Sequence, residues 1–505
     1  MSPPPPPGTA APPPGDAPPP TASRGPGHPL AGGLDGPAAL RPLLDTVIDA
    51  LHAGAAARGG PLPAGGPDAV ARRLLDAVEP VIPAHGTGAQ EALHTLVRAL
   101  TEGAADPADP HCAAHLHCPP LAVAAAADLA ASVLNPSMDS WDQAPAASAL
   151  EAAVTRAVAA EVYPGSSGAP APRATPDALV TTGGTESNQL ALLLARERHG
   201  AVQLICGANA HHSLRRAAWL LGLPEPVIVP APSGVIDLAA LDEALTELHH
   251  PLLVAATAGT TDTGRIDPLP EIADLCEHHG AELHIDAAYG GPLLFSDTHR
   301  AAVDGLARAH SVTLDLHKLG WQPVAAGLLA VPDGRLIDVL RHQADYLNAE
   351  DDTEAGLPDL LGRSLRTTRR PDVLKVAATF RALGRSGLAD LIDRTLAAAQ
   401  ELADLVERNP NLELYERPVL STVLFRPTTG HAVTALRTTT AAASSSDATV
   451  AGIRRTLLIE GSAVLGRARA DGELWLKATL LNPHTTSSDL EALLNTVLNT
   501  PLPPP

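Results

Sequence analysis

Residues 178–200 read ALVTTGGTESNQLALLLARERHG. The run ALVT is short, apolar and β-prone, and Gly183–Gly184 interrupts it. Leu190, Leu193 and Leu194 then follow at helical spacing until Gly200 closes the segment. Strand, glycine turn and helix form the unit from which parallel sheets with helical faces are built. The same rhythm continues outward, with strands at AVQLICG (201–207), PVIVP (226–230), PLLVAATAG (251–259) and AELHIDAAY (281–289). Helices are expected between them at 213–222, about 238–248 and near 268–279, and SVTLDLHKLGW (311–321) carries another apolar run. Strands that are apolar throughout are buried on both faces, so the expected class is α/β with a mainly parallel sheet. Ligands of such sheets bind beyond the carboxyl ends of the strands, where the Gly, Thr, His, Asp and Lys clusters of this chain fall.

The flanks differ. Helical spacing runs through 36–60 and 68–107, with a Pro/Gly-rich break at 60–67, and PAASALEAAVTRAVAAE (145–161) forms another helix. QADYLNAEDDTEAGLPDLLGRS (343–364) is acidic and broken by Gly and Pro, which predicts a mobile loop. Helices at 372–384 and around 387–408 lead to a final α+β portion. There LYERPVLSTVLFRP (414–427), RRTLLIEG (454–461) and GELWLKATLLNP (472–483) are expected strands, 440–449 a small-residue loop and 486–499 a closing helix.

Composition limits the function classes. Aromatics make up 2% of the 505 residues while hydrophobics make up 45%, so the core must rely on Leu, Val and Ala. A net charge of -21, from 35 basic and 56 acidic residues, disfavours a nucleic-acid surface, which needs concentrated cations. Cys112, Cys118, Cys206 and Cys276 are too scattered for a disulfide framework or a zinc site, so free thiols in a reducing compartment and no metal are expected. The Pro-rich start lacks a signal-peptide pattern, and no uncharged apolar run approaches the ~18 residues of a membrane span. A cytoplasmic protein is expected.

Six residues in four places carry chemistry in this reading. Gly183, Gly184 and Thr185 open a helix after a strand, where free N–H groups favour an anion, although a plain structural turn fits equally. The pattern is neither GxGxxG nor GxxxxGK[ST]. His211 in ANAHHS is either a structural hydrogen-bonding residue or a ring that stacks on a ligand. Asp286 either caps the next segment or holds a protonated ring nitrogen. Lys318 is either a surface residue past the strand end or an amine aimed at an aldehyde. Taken together these groups meet the needs of pyridoxal 5'-phosphate.

The order TTGGTESNQLALLLAR, ANAHHSLRRAAWLLG, ATAGTTDTGRIDPL, HIDAAYGG, SVTLDLHK and TTRRPDVLK resembles the group II pyridoxal-phosphate amino-acid decarboxylases over roughly residues 80–495. The resemblance implies an aspartate-aminotransferase-like fold of type I, with a mainly parallel seven-stranded sheet in a large domain and a small α+β C-terminal domain. It implies a homodimer with sites at the subunit interface, acting on a small L-amino acid. The domains would be a disordered Pro-rich tail at 1–30, a helical dimerisation segment at 31–125, the cofactor domain at 126–395 and the small domain at 396–500. By the same resemblance Lys318 holds the cofactor aldehyde, His211 stacks on its ring, Asp286 meets the pyridine nitrogen and Ala288 packs beneath. Gly184 and Thr185 match phosphate-loop positions, Thr260 a threonine near the ring substituent, and His317 the histidine beside the lysine. Tyr346 matches the tyrosine that protonates the substrate α-carbon.

HCAAHLHCPP (111–120), NPSMDSWDQAPAASALE (135–151) and SLRTTRRPDVLK (364–375) look closest to the bacterial branch acting on L-2,4-diaminobutyrate or L-lysine, siderophore-pathway enzymes included. An acidic protein with an acidic lid suits a cationic substrate. Trp141, Asp142, Gln143 and His115 are candidates for the substrate's far end, although the first three also read as packing and a helix cap. Arg369 and Arg370 match a double arginine near the active site or in its structural wall. Leu319–Gly320–Trp321 and Pro371–Ala377 depart from the family pattern and either open the pocket or repack it. Decarboxylation of ornithine, glutamate or an aromatic amino acid, decarboxylation-dependent oxidative deamination, and an inactive dimeric scaffold are the alternatives. Tyr346 argues against the second, and Lys318, His211, Asp286 and Tyr346 together argue against the third.

Overall fold

The computed structural model describes residues 28–165, 175–249, 251–342, 344, 346–428 and 446–501. Most of the expected tail at 1–30, and residues 440–445 of the expected small-residue loop, lie outside the described residues.

The chain begins with α1 (Gly36–Arg58), α2 (Gly66–Val78) and α3 (Ala89–Glu102). The helical spacing over 68–107 resolves into two helices, because Pro80 and Pro83 in the intervening stretch cannot donate to a helical ladder. Then come β1 (Cys112–Ala113), α4 (Ala122–Leu134) and α5 (Pro145–Val162).

The large sheet contains β2 (Asp177–Thr181), β3 (Gln203–Gly207), β4 (Val227–Val229), β5 (Leu252–Thr257), β6 (Glu282–Ala287), β7 (Ser311–Asp315) and β8 (Gly327–Val331). Its spatial order is β2-β8-β7-β6-β5-β3-β4. Pairs from β7 across to β4 are parallel, whereas β8 runs antiparallel to both β2 and β7. The helices between strands are α6 (Gly184–His199), α7 (His212–Leu220), α8 (Leu238–Glu247) and α9 (Leu269–His279). Side-chain alternation explains why these strands are apolar throughout. Leu252, Val254 and Ala256 of β5 join one buried cluster while Leu253 and Ala255 join another, and Ile205 and Leu204 of β3 divide in the same way. Strand β8 had no counterpart among the expected strands, since GLLAV is too short for periodicity to tell strand from helix.

After α10 (Glu350–Glu354), α11 (Val373–Arg408) covers both expected helices and bends at Gly384, whose φ is +64°. The small domain contains β9 (Leu412–Leu414), β10 (Thr422–Pro427), α12 (Ser446–Glu460), β11 (Val464–Ala470), β12 (Glu473–Thr479) and α13 (Ser487–Asn499). RRTLLIEG, expected as a strand, is instead the end of α12. Val450, Ile453 and Leu457 recur at helical spacing and bury one face, which outweighs the strand preference of the terminal Leu-Leu-Ile. The strand starts later, at Val464. The small sheet has the order β1-β11-β12-β10-β9, and β1 brings the N-terminal segment into it, parallel to β11.

Two buried polar contacts fasten the small domain to the large sheet. The Tyr289 hydroxyl, just past β6, lies 2.8 Å from Ser421 Oγ and 3.0 Å from Thr422 Oγ1. Trp321 Nε1 donates to the Leu481 carbonyl at 2.8 Å. Among the described residues no helix is long and apolar enough to cross a membrane.

Candidate active site

Strand register brings the chemistry to one edge. Thr257 of β5 lies opposite Asp286 of β6, Asp286 opposite Thr313 of β7, and Asp315 and Thr181 both face Gly327 of β8. Beyond these ends lies a cavity of about 300 Å³. Its lining includes Gly183, Gly184 and Thr185 at the start of α6, His211, Asp286, Ala288, Asp315, His317 and Lys318. Seven of the expected site residues, Gly184, Thr185, His211, Asp286, Ala288, His317 and Lys318, therefore line one cavity.

Lys318 Nζ lies 3.0 Å from Oδ2 of Asp315, a carboxylate buried at the end of β7 whose Oδ1 has no hydrogen-bond partner. His317 Nδ1 accepts from the Ala326 N–H at 3.3 Å, and burial above all holds its pKa below the ordinary histidine value. Gly183 has φ +149°, and a Cβ there would stand 2.9 Å from the His317 ring, so only glycine fits. At Gly184 a Cβ would press on that of Ala288 at 3.0 Å. The bare backbone leaves the first N–H groups of α6, which have no intrahelical acceptor, next to the cavity.

Asp286 is held from behind. Its Oδ1 accepts from the Ala288 N–H at 3.1 Å and its Oδ2 from Asn188 Nδ2 at 2.7 Å. Asn188 projects from α6 and is fully buried; its Oδ1 lies 3.0 Å from both His284 Nε2 and Thr313 Oγ1. Burial dominates the environment of His284 and keeps the ring neutral. Asn188 Nδ2 also donates to Ser213 Oγ at 2.9 Å, and that hydroxyl lies 2.8 Å from His211 Nδ1.

These groups fit pyridoxal phosphate. Lys318 presents an amine, Asp286 a buried carboxylate held as an acceptor, α6 free N–H groups for a phosphate, and Gly183 and Gly184 make room for it. Asp315, with an unpartnered buried oxygen, completes a polar floor.

The pyridoxal-dependent decarboxylase conserved domain matches residues 72–428. The chain belongs to that family. This decarboxylase is 39% identical to the L-2,4-diaminobutyrate decarboxylase of Rhizobium meliloti (strain 1021) over 440 residues, 84% of each chain. It is 32% identical to that of Acinetobacter baumannii over 446 residues, 82% of this chain and 84% of the relative. Among solved structures it resembles the glutamate decarboxylase domain of a Vibrio parahaemolyticus diaminobutyrate-pyruvate transaminase and L-2,4-diaminobutyrate decarboxylase. The TM-score is 0.79 at 30% identity, covering 93% of this chain and 97% of that one. Mouse CSAD shares the fold at a TM-score of 0.80 and 24% identity, over 92% of this chain and 99% of its own. The decarboxylase is thus a pyridoxal-phosphate enzyme of fold type I, as the motifs implied.

Other expected site residues lie apart from the cavity of this decarboxylase chain. Gly259 and Thr261 line it, while the intervening Thr260 turns its hydroxyl to Thr263 Oγ1 at 2.8 Å and to the Arg265 N–H at 3.1 Å. His115 is outside the lining although its neighbour Leu116 is within it. Trp141, Asp142 and Gln143 are exposed, and Gln143 Nε2 donates to Asp139 Oδ1 and Ser140 Oγ, both at 2.9 Å. Arg369 is 4% exposed and forms a two-pronged pair with Glu151, with Nη2 to Oε1 at 2.7 Å. Arg370 pairs with Asp128 at 2.9 Å. Tyr346 is 83% exposed on the acidic loop. Leu319 and Trp321 are fully buried beside Lys318, and Val373 and Val376 are in the core, so the side chains at both departures from the family pattern pack into the interior.

Sequence reading missed Asp315, Asn188, Ser213 and His284. Asp315 was legible as the last residue of its strand and the i,i+3 partner of Lys318. Ser213 stands two residues after His211, a spacing suited to capping. Asn188 and His284 meet across a long sequence separation and carry no local signal.

Proposed function

We propose that this decarboxylase removes the α-carboxylate of L-2,4-diaminobutyrate and releases carbon dioxide and 1,3-diaminopropane. The carrying observation is the 39% identity to an L-2,4-diaminobutyrate decarboxylase over 84% of both chains. An acidic amino acid decarboxylase of Mus musculus, by contrast, matches at 32% over only 59% of this chain.

In this reading Lys318 holds the cofactor aldehyde, Asp286 the proton on the pyridine nitrogen, and the start of α6 with Gly184 and Thr185 the phosphate. Ala288 and His211 bound the ring, and His317 and Thr260 support the lysine and the ring-side turn. Pyridoxal phosphate, when bound there, supplies an electron sink for the pair released as the carboxylate leaves. Lys318 would hold the aldehyde of that group between turnovers, with its amine set against Asp315. Asp286, gripped by Asn188 and the Ala288 N–H, keeps the opposing nitrogen protonated. Tyr346 delivers a proton to the α-carbon once the acidic loop folds over a cavity, and that closure excludes water. Trp141, Asp142, Gln143 and His115 are assigned to the distal amine in the assembled enzyme, and Arg370 to the outer wall.

The assembled enzyme is a cytoplasmic homodimer. No residue of α2 or α3 is buried within the chain, and Leu75, Leu96 and Leu100 stand exposed, which supports a second copy covering the N-terminal segment. Four free cysteines support a reducing compartment. The test is a comparison of kcat/KM for L-2,4-diaminobutyrate, ornithine, lysine and glutamate. One methylene is worth about 10-fold or more in a fitted pocket, so diaminobutyrate leads ornithine by at least that factor. Preference for glutamate or lysine overturns the substrate assignment.

A further inference from the structure

We infer that Ser213 and Asn188 are positioning residues that hold His211 as a neutral imidazole protonated on Nε2, so that its place in the cavity wall carries an N–H donor that keeps its proton. The inference rests on His211 lining the cofactor cavity and is independent of which amino acid is the substrate.

Asp286 fixes the orientation of Asn188. A carboxylate only accepts hydrogen bonds, so the Asn188 atom 2.7 Å from its Oδ2 must be the amide nitrogen. A flipped amide would set oxygen against oxygen in a buried site. With the amide so oriented, Asn188 Oδ1 accepts from both the Thr313 hydroxyl and His284 Nε2. His284 Nδ1 then accepts from Ser311 Oγ at 2.8 Å, consistent with a buried neutral ring.

The second hydrogen on Asn188 Nδ2 goes to Ser213 Oγ at 2.9 Å. That hydroxyl is left with its own proton, and His211 Nδ1 lies 2.8 Å away. The Ser213 backbone N–H points at the same ring nitrogen from 3.4 Å, which makes His211 the N-cap of α7. Two donors converge on Nδ1, so Nδ1 carries a lone pair and the ring proton sits on Nε2. The positive end of α7 opposes an imidazolium there as well. Among the described residues the charged or titratable groups around the ring are Asp286 from β6, Asp315 from β7, Lys318 from the following turn and His212 from α7 itself. The two acids favour the charged ring and Lys318 and His212 oppose it, but burial is the largest influence and pushes the His211 pKa down.

His211 in this arrangement donates and does not act as the base or the acid of the reaction. The test is ring 15N spectroscopy of the cofactor-loaded, 15N-histidine-labelled enzyme, with His211→Asn giving the assignment. The expected spectrum at neutral pH has an acceptor-type Nδ1 and a protonated Nε2, and the ring titrates below an ordinary histidine. Ser213→Ala removes one donor, so the His211 titration moves upward and the acidic limb of the kcat/KM profile shifts with it. Ser213→Thr restores both. A ring protonated on Nδ1 at neutral pH, or one that titrates at or above the ordinary histidine value, overturns the inference even if Ser213→Ala fails to fold. A Ser213→Ala enzyme with wild-type ring shifts and pH profile overturns it too. A different preferred amino acid leaves the spectra as expected.

Discussion

Lys318 and Asp315 are three residues apart in the chain, and their ammonium nitrogen and carboxylate oxygen are 3.0 Å apart at the cavity floor. The pair is enclosed, with the Asp315 side chain 2% exposed. Asp315→Asn leaves Lys318 facing a neutral amide, and it is expected to cost about 1–3 kcal/mol in urea unfolding of the cofactor-free protein as well as lowering turnover. The exposed pair Arg394–Asp390 is the control. Asp390→Asn should cost about 0.5 kcal/mol or less.

Asn188→Ala strips partners from Asp286, His284, Thr313 and Ser213 together. Each stranded buried group costs about 1–3 kcal/mol, so this single change is expected to be among the most destabilising in the large domain. Cofactor titration of the folded fraction should show weaker binding.

Arg369 was a substrate candidate by resemblance, and its geometry gives it structural work. The pair with Glu151 ties the segment before α11 to α5 with almost no solvent contact. Arg369→Ala is expected to lower stability by about 3–5 kcal/mol, while Arg369→Met with Glu151→Leu recovers much of the loss. KM in the folded fraction should stay at the wild-type value. A large rise in KM without a loss of stability would return Arg369 to the substrate.

His211, His284, His310 and His317 all have pKa values pushed below the ordinary histidine range, with burial the largest cause at each. The unfolded chain binds protons that the folded rings refuse. Stability is therefore whole above about pH 6.5 and falls as the pH drops toward the depressed values. Thermal midpoints of the cofactor-free protein should decline steadily from about pH 7 to 5. A flat profile would mean that these rings take up protons without unfolding.

Much of this was legible in the chain because strand alternation and strand ends are local. ALVT followed by Gly-Gly, HIDAAY and SVTLDLHK each mark a buried strand delivering a polar residue at its carboxyl end, and the structure brings Gly184, Asp286 and Lys318 to one cavity. Strand β8 was illegible because five apolar residues have no diagnostic period. The end of α12 misled because Leu-Leu-Ile has strand preference while the burial that decides for helix lies in Val450 and Ile453, outside that octapeptide. The grip on Asp286 was invisible for another reason: Asn188 and His284 are 96 residues apart and meet only through the sheet.

The most direct test of the central claim is to incubate the cofactor-loaded enzyme with L-2,4-diaminobutyrate and follow carbon dioxide, oxygen and product mass together, beside Lys318→Ala. The account predicts 1,3-diaminopropane and carbon dioxide in equal amounts, no oxygen uptake, and turnover at least ~10³-fold lower without Lys318. An aldehyde product with oxygen consumption, or undiminished turnover in Lys318→Ala, would contradict it.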